Sequence, residues 1–333
     1  MKNRVFTTIL LIVWFMSLTV SPVSAARDNT YTITNLGTLG GVSSGATGIN
    51  DRGQVVGDSV TASGENHAFL WEDGVMTDLG TLGSDYSIAS AINRSEQVVG
   101  SSRTASGEEH AFLWEDGVMT DLGILGGTNG SSAAAINNHG QVVGISDTGS
   151  GGQQHGFLWE DGVMTDLGTL GGGASSAEDI NDRGQIAGWS LTASGQFRAV
   201  IWEDSAITNL GTLGGNFSQA LGLNDRGQVV GYSQTTSGEY HAFLWDDGVM
   251  IDLGTLGSNG SQAHDINRRA QVVGDSRTAS NLFHAFVWEN GVITDLGTLG
   301  GNGSSAEAIN NHGQIVGSSR IASGDFHAVL WEK

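Results

Sequence analysis

"HAFLWEDGVMTDLG", residues 67–80, returns without a change at residues 110–123. A stretch repeated this faithfully carries no unique catalytic arrangement by itself; it reads as scaffold. Ala-Phe-Leu-Trp is apolar at every position and too short for a helix, so it predicts a strand buried on both faces. Asp73-Gly74 is a hairpin signal, and Val75-Met-Thr-Asp-Leu79 supplies the returning strand.

Outward from this hairpin the same grammar continues. Ile/Leu-Asn begins at Ile49, Ile92, Ile136, Ile180, Leu223, Ile266 and Ile309, a spacing of 43 or 44 residues. Before it stands an Ala/Ser-rich run such as Ser304–Asn310. After it come a tight turn, Asn50-Asp-Arg-Gly53, a strand, Gln54–Ser59, and a Ser/Thr/Gly loop, Thr61–Glu65. Four short strands per repeat, seven times over, predict an all-β fold: a seven-bladed β-propeller. A β-helix is the alternative, but its coils are shorter and lack paired hairpin turns. The last copy ends at His327–Lys333 without a fourth strand, and Tyr31–Leu36 reads as a fourth strand without predecessors. Pairing the two closes the array and removes its open ends. The connection from Gly80 onward reads as a long crossing to the next blade, which makes the Ala-rich strand innermost.

Composition narrows the function. The chain has 333 residues, no cysteine, 52 glycines and one proline, with 35 acidic against 14 basic residues, net −21. Such a chain is repelled by phosphate backbones, so nucleic acid is excluded as a partner. Lys2 and Arg4, an apolar run from Val5 to Val20, and Ser21–Ala26 with small Val23 and Ala25 read as a cleaved signal peptide. The apolar run is short for a membrane span, which needs about 20 residues. Residues 1–26 are therefore assigned to the leader and 27–333 to a single propeller domain, secreted, extracellular or periplasmic, with no stable membrane anchor after cleavage. Without cysteine no disulfide framework forms, and packing alone supplies stability.

His-Ala-Phe-Leu-Trp, with Ile-Asn, Gly-Gln-Val-Val-Gly and Asp-Leu-Gly-Thr-Leu-Gly, resembles the HAF repeat family of extracellular repeat proteins. The resemblance covers the whole chain after the leader. It implies export and repeat architecture, and brings no chemistry. Copy four departs most, with Arg198-Ala-Val-Ile-Trp202; Gly156 and Val329 are smaller departures.

Scaffold positions repeat and specialised ones diverge, so variation between copies marks the candidate sites. One face of the disc gathers carboxylate-rich turns, where Asp51, Glu72 and Asp73 raise calcium as a cofactor, without the D-x-D-x-D-G spacing of a dedicated loop. The other gathers neutral, hydroxyl-rich loops. His67, His110, His155, His241, His284 and His327 open the third strands, too far apart around a ring to share one ion; each is expected to bond its neighbouring loop. Copies four to seven place Phe197, Tyr240, Phe283 and Phe326 just before this position, and copies four and five add Trp189 and Tyr232 after the second strand's glycine. With Arg198 they form a candidate ligand-binding arc for sugar faces or peptide side chains; the alternative is rings packed under loops. On the innermost strand, Glu178, His264 and Glu307 are the one combination resembling an acid/base or metal constellation, while Asp179 and Asp265 are expected to contact the next blade or a turn. No catalytic residue is assigned. The reading is a multivalent binding module for a carbohydrate or protein ligand; the alternatives are a channel enzyme and a passive envelope component.

Overall fold

Each Asp-Gly hairpin turns through two residues of positive φ, as in Asp73 (49°) and Gly74 (86°), and Asp116 (50°) and Gly117 (83°). This is the backbone that two-residue hairpins between twisted strands require. Copy four makes the same turn with Asp204 and Ser205, at 49° and 66°. The computed structural model describes residues 30–333; the leader, its cleavage site and the anchor reading lie outside the described residues.

Those residues form 28 strands and no helix. A typical unit runs Gly40–Ile49, Val55–Thr61, Asn66–Glu72 and Val75–Asp78, paired antiparallel in that order. The same four-stranded sheet recurs from copy to copy. In the last copy the fourth place is taken by Thr32–Gly37, antiparallel to Phe326–Glu332 with Thr32 opposite Glu332. The crossing between units is shorter than expected. It spans only Leu79–Leu82, because the following innermost strand is ten residues long and begins at Gly83.

Cores form between neighbouring sheets. Val56, Ala68 and Leu79 of one unit pack with Ala89, Ile92, Val98 and Phe112 of the next. Val55 and Phe69, on the other face of the same sheet, pack with Val316, Ala328 and Leu330. Ala68 and Phe69 are fully buried, whereas Leu70 and Trp71, nearer the exposed hairpin, are half-buried. Burial on both faces thus holds for half of the predicted four-residue stretch. The innermost strand also carries a β-bulge in every copy. Ala46 faces Gly57 and Gly48 faces Val56, which leaves Thr47 unpaired; the residues so displaced in the other copies are Ser90, Ala134, Glu178, Leu221, His264 and Glu307. Glycine is required opposite the bulge, since a Cβ at Gly57 would collide with the Gly45 carbonyl.

Two polar contacts join adjacent units. Ser87 Oγ accepts from Ala68 N (2.8 Å) and donates to Gly80 O (2.6 Å), and Ser44 does the same with Ala328 N and Gly37 O. Asn50 accepts from the backbone N–H groups of Arg52 and Gln54 through Oδ1, and donates through Nδ2 to Gln54 Oε1 and to Asn93 O. Every later copy repeats the link, until Asn310 Nδ2 donates to Asn50 O at 3.1 Å.

The turn after this asparagine needs a left-handed residue. Gly53, Gly140, Gly184, Gly227 and Gly313 have φ between 76° and 86°, and Glu96 and Ala270 adopt 66° and 58° in the same place. Glu96 gains an ion pair with Arg52 at 2.6 Å, whereas Ala270 gains only the packing of its methyl against the core around Ala263 and Phe286. Ala270→Gly should therefore be neutral or stabilise the protein by up to about 1 kcal/mol, the cost of a Cβ in this region less the entropy of glycine and the packing of the methyl. Equilibrium urea unfolding measures it, and a lower midpoint for the variant would contradict the strain.

Candidate functional site

The two ends of the innermost strands differ in how far their polar groups are already used. At the tight-turn end, Asp51, Arg94, Asn138, Asp182, Asp225, Arg268 and Asn311 border one shallow cavity. Arg94 binds Asp51 at 2.7 Å and Arg268 binds Asp225 at 2.6 Å. Asn138 donates to Asp182 and Asn311 donates to Asp51. Glu72 accepts from Gln54, and Asp73 lies in the hairpin turn. The carboxylates named for calcium are thus engaged or dispersed, and no group of three acidic or histidine side chains among the described residues is placed to hold a metal.

Inside, the bulge residues Glu178, His264 and Glu307 border a single cavity of about 210 Å³ together with Asp179 and Asp265. A bulge re-aims the side chain that it releases, which is why one sequence position supplies all three groups. They do not form one constellation. His264 is held between Glu307 (Nδ1 to Oε2, 3.0 Å) and Asp275 (Nε2 to Oδ1, 3.2 Å). Burial disfavours its charge, but the Glu307 charge and the bonds from both carboxylates prevail and push it up to about 10. For Glu307, burial is in turn outweighed by the imidazolium, and its carboxyl is held below the usual range. Glu178 instead accepts from Trp189 Nε1 at 3.0 Å, and burial raises it. Asp179 and Asp265 reach the next unit, accepting from Leu223 N (2.7 Å) and Ile309 N (2.8 Å) as well as from Ile180 N and Ile266 N. Burial, then the charge of Asp265, pushes Asp179 up to about 7.

The third-strand histidines serve their own sheets. His67 bonds Asp78 at 2.8 Å, and His110, His155, His241 and His284 bond Asp121, Asp166, Asp252 and Asp295 in the same way. His327 meets Asn35. Copy four has Asn209 on its fourth strand, and Arg198 bonds elsewhere: Nη1 to Phe197 O and Asn216 O, both 2.7 Å, and Nη2 to Gln196 Oε1. Arg198 is therefore a strut that ties the start of one third strand to the next innermost strand.

At the hydroxyl-rich end the aromatic residues meet. Trp189 lies 5.0 Å from Phe197, Phe197 5.5 Å from Phe217, and Phe217 5.4 Å from both Tyr232 and Tyr240. These are favourable tilted and edge contacts. Phe217 lies on the innermost strand, outside the loop-flanking positions at which the copies diverge most visibly. Its one signal was a lone phenylalanine where most other copies have a small residue. Phe217, Tyr232, Tyr240 and Phe283 line a cavity of about 380 Å³ with Asn259, Gly260, Ser261, Gln262 and Arg277. Tyr240 and Phe283 expose 41% and 43% of their surface, and the Arg277 guanidinium lies over the Phe283 ring. Trp189 and Tyr232 are half-buried and use their polar tips internally, on Glu178 and on Gln219 (2.6 Å). Phe326 sits apart, under the guanidinium of Arg320. The equivalent cleft beside Glu109, Asn129, Ile145 and Gln154 holds about 200 Å³ and no aromatic ring. These two clefts are therefore unlike.

No protein-family model and no curated protein matches the chain. Among solved structures, the chain is similar to a puromycin-hydrolysing peptidase from Mycobacterium tuberculosis, at 13% identity and a TM-score of 0.54 over 90% of this chain and 54% of that one. It is also similar to an acylaminoacyl peptidase from Pyrococcus horikoshii, at 10% identity and a TM-score of 0.52 over 87% and 51%. TolB from Acinetobacter baumannii follows at 10% identity and 0.48, over 71% of this chain and 64% of that one. The chain spans about half the length of the two peptidases. At such identities the likeness is one of fold, and the fold is a β-propeller.

The buried ionisable groups set a pH dependence. Asp179 ionises near 7 in the folded chain against an ordinary 3.8, so the folded state keeps its proton longer and loses stability as pH rises from about 4 to 7. His264, at about 10 against 6.5, contributes fully below 6.5 and loses that contribution as pH climbs toward 10. Asp179→Asn should flatten the first decline by on the order of a few kcal/mol, and His264→Gln the second. Melting temperatures across pH 4–10 test both; an Asp179→Asn profile parallel to that of the parent below pH 7 would refute the first assignment.

Proposed function

We propose that the chain is an exported binding module that takes a carbohydrate in its aromatic cleft. One observation carries this reading: the exposed rings of Tyr240 and Phe283, with Phe217 and Tyr232, wall a cavity lined otherwise by Asn259, Gly260, Ser261, Gln262 and the Arg277 guanidinium. Ring faces stack on the C–H face of a sugar while amides and hydroxyls pair with its hydroxyl groups. Export rests on the basic and apolar character of residues 2–20 and the small residues that follow. The repeat motifs favour kinship with the HAF repeat family.

The channel-enzyme alternative has less in its favour. His264 keeps its proton far above neutrality between two carboxylates, so it is a poor general base. Glu178 is tied to the Trp189 indole rather than to the other two groups. A passive envelope role leaves the divergence of copies four to seven without a cause.

The architecture behind this reading is a seven-bladed propeller closed by its own ends. The pairing of Thr32–Gly37 with Phe326–Glu332 and the Asn310–Asn50 bond support it. Deleting residues 27–36 should then remove Leu36 from its core and leave the sheet edge beside Phe326–Glu332 open. A sharp fall in melting temperature is expected, and a truncated chain that melts like the parent would overturn closure.

Binding is tested on a glycan array with the mature chain. Tyr240→Ala together with Phe283→Ala should weaken binding about five- to a hundred-fold, from ~0.5–1.5 kcal/mol per stacked ring. Because both rings are exposed, the circular dichroism of the variant should match that of the parent. Retained glycan binding would sink the cleft reading.

A further inference from the structure

The aromatic cavity contains one full charge, and its sign is the scarce one in this chain. Carboxylates outnumber arginines and lysines 35 to 14. Several of the arginines are matched at contact: Arg52 with Glu96, Arg94 with Asp51, Arg268 with Asp225. Arg277, which lines the cavity beside Tyr240 and Phe283, makes no ion pair with a carboxylate among the described residues. Its guanidinium lies 4.2 Å over the Phe283 ring, and Nη1 donates to Asn281 Oδ1 at 2.9 Å. Asp275, two residues earlier, is taken by His264 at 3.2 Å. A planar fork of five N–H donors thus lies over an aromatic ring with most of its donors uncommitted.

We infer that the cavity takes an acidic sugar, a hexuronate residue of an oligosaccharide. Its ring lies against Tyr240 and beside Phe283, and its carboxylate accepts two N–H groups from Arg277. This rests on the carbohydrate reading above and names its substrate class. Stacking alone does not distinguish acidic from neutral sugars; a guanidinium does, because bidentate, charge-assisted bonds need a planar anionic acceptor. The negative field of the whole chain opposes an approaching anion, but it is screened over about 8 Å at physiological ionic strength. The preference therefore depends on contact with Arg277, not on steering.

The test uses the mature chain and two probes of one length, an oligogalacturonate and its methyl ester, which share rings and hydroxyls and differ in charge. Calorimetric titration of the parent should show about ten-fold tighter binding of the free acid. Arg277→Gln should abolish that preference, so that the free acid binds no more tightly than the ester. Arg277→Lys, which keeps the charge and loses the fork, should retain part of it. Equal binding of acid and ester by the parent, with ester binding lost in Tyr240→Ala, would overturn the carboxylate assignment and leave the carbohydrate reading standing. Binding of neither probe, nor of a neutral oligosaccharide, would overturn both.

Discussion

The asparagine that follows Ile49 and its six counterparts is the point on which the other contacts depend. Its carboxamide has two acceptor sites and two donors, and all four are used. Oδ1 closes the turn by accepting two backbone N–H groups; Nδ2 holds the glutamine of its own sheet and the backbone carbonyl of the next. Asn50 and its counterparts are almost completely buried, and an unsatisfied polar group there costs ~1–3 kcal/mol. A substitution in one copy would therefore strand a carbonyl in its neighbour. The Asn-x-x-x-Gln spacing recurs in every copy because one side chain serves a turn, a sheet and an interface together.

A scaffold this uniform lets single residues specialise. The bulge on each innermost strand releases one side chain per copy without disturbing the pairing around it. The second strand accepts the bulge only because a glycine stands opposite. Most copies fill the released position with Thr, Ser, Ala or Leu, and three place ionisable groups there. The same economy governs the third strand. Where histidine and aspartate pair, the sheet is braced internally; where copy four has Arg198 and Asn209, the brace passes to the neighbouring innermost strand through the Asn216 carbonyl. That strand carries Phe217, so the least regular copy and the aromatic cluster meet at one place.

The period, the strands and the turns were legible in the sequence because each is set within a few residues. Asp-Gly fixes a hairpin, a left-handed position selects glycine, and an unbroken apolar run selects burial. The all-β class, the four-stranded repeat and the strand-like character of Tyr31–Leu36 follow from such local rules. Less was legible about lengths. The innermost strand begins several residues before its Ala-rich core, since a bulged, glycine-rich opening looks like loop when read alone.

The chemistry of the sites was decided by tertiary structure. Sequence placed Trp189, Phe197, Tyr232, Tyr240, Phe283 and Phe326 in one arc; packing divides them into half-buried supports, exposed rings and one outlier. It also adds Phe217 and Arg277. Likewise Glu178, His264 and Glu307 share a register position, yet only two of them touch. The physical reason is distance along the chain. A turn is specified by neighbours in sequence, whereas the cavity joins residues up to 66 positions apart, Phe217 to Phe283, and a pKa depends on which charges packing brings to within a few ångströms. Repetition sets where each strand lies, and only the meeting of unlike copies made this cleft aromatic where the one beside Glu109 is not.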